Sequence, residues 1–354
     1  MKAAVWHAAG DVRVQDWEEP GSPAPGEATV EVRLATICGS DVSEYVDGPH
    51  MIPVRRPHPL TGRCAPLVLG HEYVATVLEV GEGVTDIVEG DRVCGDSCLR
   101  CGRCYWCLRG EYNICRLGAS VGLHSDGAFA HRLRVPAYVL EPVPVSVPDP
   151  WAAVVEPLAV GLHAVKQGEL LPGENVVVVG FGMIGAAAAL MARAAGAGQV
   201  FVLETSEARR ELALTTGMDE AFDPRVRDVR RELAARTAGV GVDLVIDCSG
   251  KQEVFAASVE LSRRGGRIAI CGLGHEPATI DLRRLVYFER KVVGVLGYRY
   301  DHQPVLSLLA GRRLDVSPLL GEPIPLADIV EEGFQRMVHD PSAPLRVPVQ
   351  PAVR

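Results

Sequence analysis

Residues 176–204 read VVVVGFGMIGAAAALMARAAGAGQVFVLE, and this stretch restricts the fold more than any other. Four consecutive valines with no polar alternation mark a strand buried on both faces of a parallel sheet. Gly180, Gly182 and Gly185 follow at once in G-x-G-x-x-G spacing. In such a frame the first glycine turns the chain, the second lets backbone approach a pyrophosphate, and the third packs helix close to strand. The helix that follows offers unpaired N–H groups to phosphate oxygens. A second strand is expected over 199–203, and Glu204 stands at its end, nineteen residues after Gly185. A carboxylate there accepts hydrogen bonds from an adenosine ribose and repels a 2′-phosphate. Glycines also punctuate ordinary loops, but a strand before, a helix after and an acid at the right distance favour a bound dinucleotide. The expected cofactor is NAD; Arg209 and Arg210, close by in sequence, keep NADP as the lesser alternative.

A chain of 354 residues is too long for one ordinary core and comfortable for two domains. Over 157–296 strands and helices alternate, with helices expected at 207–215, 225–238 and 253–261 and further strands at 243–247, 267–271 and 292–296. The fold class is therefore α/β, with a doubly wound parallel sheet in this part. Residues 1–156 show short alternating runs, such as 28–35 and 73–80, cut by turn signals at Pro25-Gly26 and Gly81-Glu82-Gly83, the pattern of a β-rich domain. The remainder, 297–354, is too short to stand alone and is expected to return to the first domain. A proline-rich passage over 48–69 reads as a long surface loop, either a wall of the active site or an oligomer contact. The longest apolar region is broken by glycines and Arg193, so no membrane span is expected. The start has no signal-peptide apolar region, which predicts a cytoplasmic protein. A net charge of −9 and a pI near 5.6 argue against a nucleic-acid partner; the expected partner is a small-molecule substrate.

Ten cysteines without an export signal point to metal ligands and buried thiols rather than disulfides. Cys101, Cys104, Cys107 and Cys115 stand as C-x2-C-x2-C-x7-C within a lobe of about residues 94–116. Four thiolates so spaced surround a tetrahedral Zn²⁺ and hold a loop that has no core of its own; four free surface thiols would instead be an oxidation liability. Cys98 shares the same spacing, but Gly102 and the distant Cys115 make Cys98 the spare. Cys38 in ICGSD, His71 and Glu72 in LGHEY, and Glu156 in VVEPLAV offer ligands for a second metal. Each alone has a plain reading, as a small buried thiol, a satisfied histidine or a solvated acid. Glu156, however, is embedded in an apolar run, where an unpaired charge is expensive. A mixed sulfur, nitrogen and oxygen set that leaves room for water is a catalytic zinc, whereas the all-cysteine set is structural.

The combination of GHE, the four-cysteine lobe, VVEPLAVGLHAV and GFGMIG resembles the zinc-dependent medium-chain alcohol dehydrogenases, in the branch of the sorbitol, threonine and butanediol dehydrogenases. The resemblance covers essentially the whole chain, and CGSDVSEYVDGP, HPLTGRCAPLVLGHE, ETSEARREL and LGY look most like butanediol dehydrogenases. It implies a GroES-like catalytic domain, a Rossmann domain, an active-site zinc in the cleft between them, and a homodimer or homotetramer. It implies Cys38, His71 and Glu156 as ligands of the catalytic zinc, with Glu72 a nearby or exchanging fourth, and Cys101, Cys104, Cys107 and Cys115 around the structural zinc. Ile184, Glu204 and Arg209 would contact NAD beside Gly180, Gly182 and Gly185, with Cys271, Gly272, Leu273, Val295 and Leu296 near its nicotinamide end. The family commonly carries a serine or threonine two residues after the ligand cysteine and a histidine five after it, forming a proton relay. Here Ser40 is present, but Ser43 occupies the histidine position.

The resulting expectation is hydride transfer between NAD(H) and a secondary alcohol or vicinal diol, or the matching ketone, with Ser40 passing the proton. Because of Ser43, one alternative is a biosynthetic reductase acting on a larger intermediate, such as conjugate reduction of an enone. A second is a cofactor-binding protein without catalysis, which the complete ligand set disfavours.

Overall fold

The computed structural model describes residues 1–274 and 277–351, and its contacts divide the chain into two compact units. The first comprises Met1–Glu156, His302–Ala310 and Leu320–Arg354. Its organising strand, Glu27–Thr36, is buried along most of its length and pairs antiparallel with Glu72–Val80, Arg132–Pro136 and Pro348–Gln350. Thr36 lies opposite both Glu72 and Pro348. The last strand of the chain thus flanks the strand that carries the GHE acid. A smaller sheet joins Lys2–Ala8, Asp11–Asp16 and Leu67–Val68. The core between these sheets includes Trp6, Val30, Tyr73, Phe129 and Phe334, all almost fully buried.

The proline-rich passage holds little regular structure apart from Leu67–Val68. One buried acid, Glu44 in the helix Gly39–Asp47, anchors its start by accepting backbone N–H bonds from His50, Met51 and Ile52. Backbone groups that lack a ladder are satisfied here by a side chain.

The second unit, Pro157–Asp301 with Gly311–Leu319, is a six-stranded parallel sheet. In chain order its strands are Asn175–Val179, Gln199–Leu203, Glu220–Phe222, Val242–Asp247, Ser262–Ile270 and Lys291–Gly294, and in space they run third, second, first, fourth, fifth, sixth. That is the doubly wound order, with the switch point between first and fourth. Sequence periodicity misses the third strand, because three residues are too few to show a pattern. The helix expected over 225–238 is shorter, Val229–Arg236, because Asp228 caps it by accepting the Arg231 N–H. No helix among the described residues is long and apolar enough to cross a membrane.

Candidate active site and metal centres

In the second unit the first glycine of the fingerprint, Gly180, has φ +87°, a left-handed turn that an L side chain resists. A Cβ on Gly185 would sit 1.9 Å from the Gly180 carbonyl oxygen, so helix and strand touch backbone to backbone. Nothing lies within 4 Å of a Cβ placed on Gly182; its backbone faces open space at the head of the helix Met183–Ala194. That cradle fits a dinucleotide pyrophosphate. Ile184 is half-buried in the first turn. Glu204 is nearly buried, and its carboxylate accepts N–H bonds from Phe181 at 2.8 Å and Ser206 at 2.8 Å, which bind it to the glycine loop. Arg209 is exposed. Arg210 donates to the carbonyl oxygens of Glu204 and Thr205 and pairs with Asp223 at 3.5 Å. At the other end, the N–H groups of Cys271 and Gly272 both bond to the Asp247 carbonyl. Leu273 and Leu296 are exposed, and Val295 is buried.

In the first unit, Cys101, Cys104, Cys107 and Cys115 converge and Cys98 does not join them. Their Sγ separations are 3.5 Å for Cys104 to Cys107, 3.6 Å for Cys101 to Cys115, 3.8 Å for Cys104 to Cys115 and 4.0 Å for Cys101 to Cys107. Zinc–sulfur bonds of about 2.3 Å place tetrahedral ligands about 3.8 Å apart, so the four sulfurs already outline the polyhedron. Backbone N–H donors at Cys107 and Arg116 draw the Cys104 thiol down to about 6, while burial and the neighbouring sulfurs push Cys107 up to about 12. Four sulfurs this close suit a cation they can share.

The second cluster brings Cys38, His71 and Glu72 together, their ligand atoms all within 4.8 Å of one another. Cys38 caps the helix Gly39–Asp47, and its N–H bonds to Asp41 Oδ2 at 2.9 Å. The other oxygen of fully buried Asp41 lies 3.5 Å from His71 Nδ1. The two are an ion pair at that distance without a hydrogen bond, a carboxylate placed where it can orient a metal-binding imidazole, and Nε2 faces Ser40 Oγ at 3.3 Å. Burial opposes a charge on His71, yet the Asp41 carboxylate and the Cys38 sulfur hold its imidazolium well above the usual histidine range. The cluster demands positive charge, which suits a divalent ion.

His71 owes its place to Gly70, at φ +96°. A Cβ on Gly70 would lie 2.8 Å from the Phe129 ring, and Cβ atoms on Gly122 or Gly127 would strike the Gly70 carbonyl oxygen at 2.4 and 2.3 Å.

Glu72 reaches the cluster with its oxygens engaged. It is fully buried, accepts Arg346 Nε at 2.7 Å and Arg346 Nη2 at 2.7 Å, and also accepts the Thr36 hydroxyl. Burial pushes its carboxyl up, but the Arg346 guanidinium and its hydrogen bonds pull it below the ordinary range. Arg346 Nη2 also lies 3.5 Å from Cys38 Sγ. Glu156 is not among the three clustered residues; its Oε1 lies 3.5 Å from Ser97 Oγ. Ser43 is exposed and donates to the Gly39 carbonyl of its own helix at 3.0 Å. A groove of about 1200 Å³ lined by Trp17, Arg63, Asp126 and Arg132, among others, shares no residue with either cluster.

Sequence reasoning missed Asp41, Thr36 and Arg346. Asp41 carries a local signal, three residues beyond Cys38 where a helix N3 acid bonds back to the cap. Arg346 carries none, being 274 residues from the glutamate it neutralises.

Comparison with known proteins agrees with this arrangement. Residues 24–145 match the alcohol dehydrogenase GroES-like domain and residues 184–311 match the zinc-binding dehydrogenase family. The (R,R)-butanediol dehydrogenase of Bacillus subtilis is 35% identical over 343 residues, covering 97% of each chain. The crystal structure of 2R,3R-butanediol dehydrogenase from Bacillus subtilis superposes with a TM-score of 0.93 at 34% identity, covering 99% of each chain. A zinc-binding dehydrogenase from Sinorhizobium meliloti, solved bound to NADP, superposes with a TM-score of 0.87 at 30% identity, again over 99% of each chain. A full-length match in sequence and fold, over a chain that assembles both cysteine-containing clusters, makes this protein a member of the zinc-dependent medium-chain alcohol dehydrogenases, oxidoreductases that use zinc and a nicotinamide cofactor.

Proposed function

We propose that the protein interconverts a small secondary alcohol or vicinal diol, of the butanediol and acetoin type, and the corresponding ketone, using NAD(H). The observation that carries this reading is the cluster of Cys38 and His71 with Ser40 Oγ at 3.3 Å from the histidine. Cys38, His71 and Glu156 would hold the catalytic zinc with Glu72 beside them, and Cys101, Cys104, Cys107 and Cys115 the structural one. When bound, zinc supplies Lewis acidity to the substrate oxygen and the nicotinamide ring takes or gives the hydride. Ser40 carries the alcohol proton away from the site, since its hydroxyl alone of the two relay serines faces His71. Ser43 is turned back onto Gly39, so the path from Ser40 continues through cofactor hydroxyls or water. Asp41, 3.5 Å from Nδ1, would hold the imidazole in place, and Arg346 keeps Glu72 charged beside the metal position. The conjugate-reduction alternative loses its motive, because Ser40 offers a proton path that does not need a histidine at position 43.

NAD is favoured over NADP because Glu204 places a carboxylate at the end of the second strand, while Arg210 is already tied to two carbonyls and Asp223. Gly180, Gly182, Ile184, Gly185, Glu204 and Arg209 would line the adenosine and phosphate half of the site. Cys271, Gly272, Leu273, Val295 and Leu296 would line the nicotinamide half. A homodimer or homotetramer is favoured by the edge strand Lys291–Gly294, whose Val292 is exposed, since an unpaired edge invites a second copy to cover it. Ten free thiols favour a reducing, cytoplasmic setting.

The test is turnover by zinc-loaded protein with NAD⁺ and NADP⁺ against vicinal diols, acetoin, polyols and simple secondary alcohols. Turnover of the diol class with NAD⁺ is expected. Cys38→Ala and His71→Ala are expected to abolish it while NADH still binds. Retained turnover in either variant, or silence across the panel with NADH bound, sinks the reading.

A further inference from the structure

The fourth and fifth strands of the parallel sheet end in register, Asp247 beside Ile270, so the next residues, Cys248 and Cys271, leave the sheet side by side. That register sets the two side chains next to each other, and both residues are half-buried. The surrounding backbone has no slack. Cys248 N–H bonds to the Val179 carbonyl at 2.9 Å, and Cys271 N–H to the Asp247 carbonyl at 2.8 Å. A Cβ on Gly180 would lie 3.5 Å from the Cys248 carbonyl carbon, and a Cβ on Gly272 would lie 2.2 Å from the Gly250 nitrogen. The thiol pair therefore sits against the first glycine of the phosphate loop, in the turn that carries Gly272 and Leu273.

We propose that Cys248 and Cys271 form a redox-active dithiol whose oxidation to an intramolecular disulfide weakens nicotinamide cofactor binding. The coupling to cofactor rests on the reading of this site given under Proposed function; the dithiol itself does not. Neighbouring parallel strands lie about 4.8 Å apart, at the short end of the roughly 4.4–6.8 Å that disulfides span and below their preferred separation of about 5.5–6 Å. Relaxing the bond to that preference shifts the strand ends, and the Cys248 carbonyl packed beside Gly180 shifts with them.

The oxidant class is a peroxide. The Cys271 thiolate attacks one peroxide oxygen, the O–O bond breaks, and a sulfenic acid and water form. The Cys248 sulfur then displaces the hydroxyl, forming the S–S bond and a second water. Two thiols lose two electrons and both protons, and hydrogen peroxide takes them up as water. The neighbouring Cys271 thiol, burial and the Asp247 carboxylate push the Cys248 thiol well up, which suits it to resolve rather than attack.

The experiment treats zinc-loaded protein with hydrogen peroxide, with and without saturating NADH, then removes the excess with catalase. Trypsin separates residues 237–251 from 268–283, each with one cysteine, so the cross-link appears as a single joined mass. NADH affinity is read in parallel by fluorescence titration. The expected result is the 237–251/268–283 cross-link and NADH binding weakened about tenfold or more, a change of about 1.4 kcal/mol. Dithiothreitol is expected to reverse both, and bound NADH to slow the cross-link. Cys248→Ser is expected to show neither the cross-link nor the loss. Absence of the cross-link overturns the proposal, as does cross-linked protein that binds NADH like the reduced form, or an equal loss in Cys248→Ser. Should that variant fold poorly, the wild-type mass and titration decide alone. Reduced protein that binds no NADH refutes the cofactor reading and the coupling with it, whereas a missing cross-link with NADH binding intact overturns this inference alone.

Discussion

Replacing Arg346 with methionine removes a guanidinium and keeps most of its length. In the native protein Arg346 is 4% exposed and makes two 2.7 Å bonds to Glu72, which is 0% exposed. The variant leaves a buried carboxylate with the Thr36 hydroxyl as its remaining side-chain donor. Deleting one partner of a buried pair costs about 3–5 kcal/mol, most of it the penalty for the charge left behind. The surviving Thr36 bond places the expected loss near the lower end, about 3 kcal/mol. All four tryptophans, Trp6, Trp17, Trp106 and Trp151, lie in the first unit, so urea unfolding followed by tryptophan fluorescence reports on the unit that holds the pair. At roughly 1–3 kcal/mol/M in urea, the midpoint should fall by about 1 M or more. The double variant Arg346→Met with Glu72→Gln removes both charges and should recover about 2 kcal/mol relative to the sum of the single losses. A single-variant loss under about 1 kcal/mol, or a coupling near zero, refutes the claim that Glu72 is held charged in the core by Arg346.

Four further outcomes are expected. Gly185→Ala drives a Cβ into the Gly180 carbonyl oxygen and should cost about 1–3 kcal/mol of stability together with NADH binding. Gly182→Ala meets no protein atom within 4 Å and should weaken NADH binding while leaving the melting temperature in place; equal thermal losses in both variants would contradict the assigned roles. Cys104→Ser should lower zinc from about two to about one per chain and reduce stability, measured by elemental analysis and thermal unfolding, and would count against the structural site if both zincs remain. Burial and the neighbouring His58 ring push His124 down to about 4. The native protein therefore resists a proton that the unfolded chain accepts below its ordinary value near 6.5, so stability falls as pH drops from about 6.5 to 4. The full shift corresponds to about 3 kcal/mol, reduced to roughly 1–2 by solvent screening of a partly exposed ring. His124→Gln should flatten that slope in unfolding measurements between pH 7 and 4, and an unchanged slope would show that other groups set it.

The dinucleotide unit was legible because its constraints are local. A valine run, three glycines and an acid at fixed spacing fall within thirty residues, and each answers a backbone demand that recurs wherever strand, turn and helix follow in that order. The four-cysteine lobe was legible for the same reason, its ligands spanning fifteen residues, down to the exclusion of Cys98 from the sulfur cluster. Helix ends and the three-residue third strand were not, since caps and short edge pairings leave little periodic trace.

The active-site cluster divides along the same line. Cys38, His71 and Glu72 were identifiable as candidate ligands because their chemistry is explicit in their residue types. What each does there is decided by partners far away in the chain. Arg346 reaches Glu72 because the final strand, Pro348–Gln350, pairs with Glu27–Thr36, the strand that also pairs with Glu72–Val80. Cys248 meets Cys271 through the register of two parallel strands. Which groups are able to ligate metal or cradle phosphate is already legible in the chain, since that is a property of side-chain type and short spacing. Which carboxylate is already neutralised, which serine faces the histidine and which cysteines stand side by side emerge with the folded chain, because charge pairing and proximity in a buried site depend on distances that sheet pairing sets across hundreds of residues.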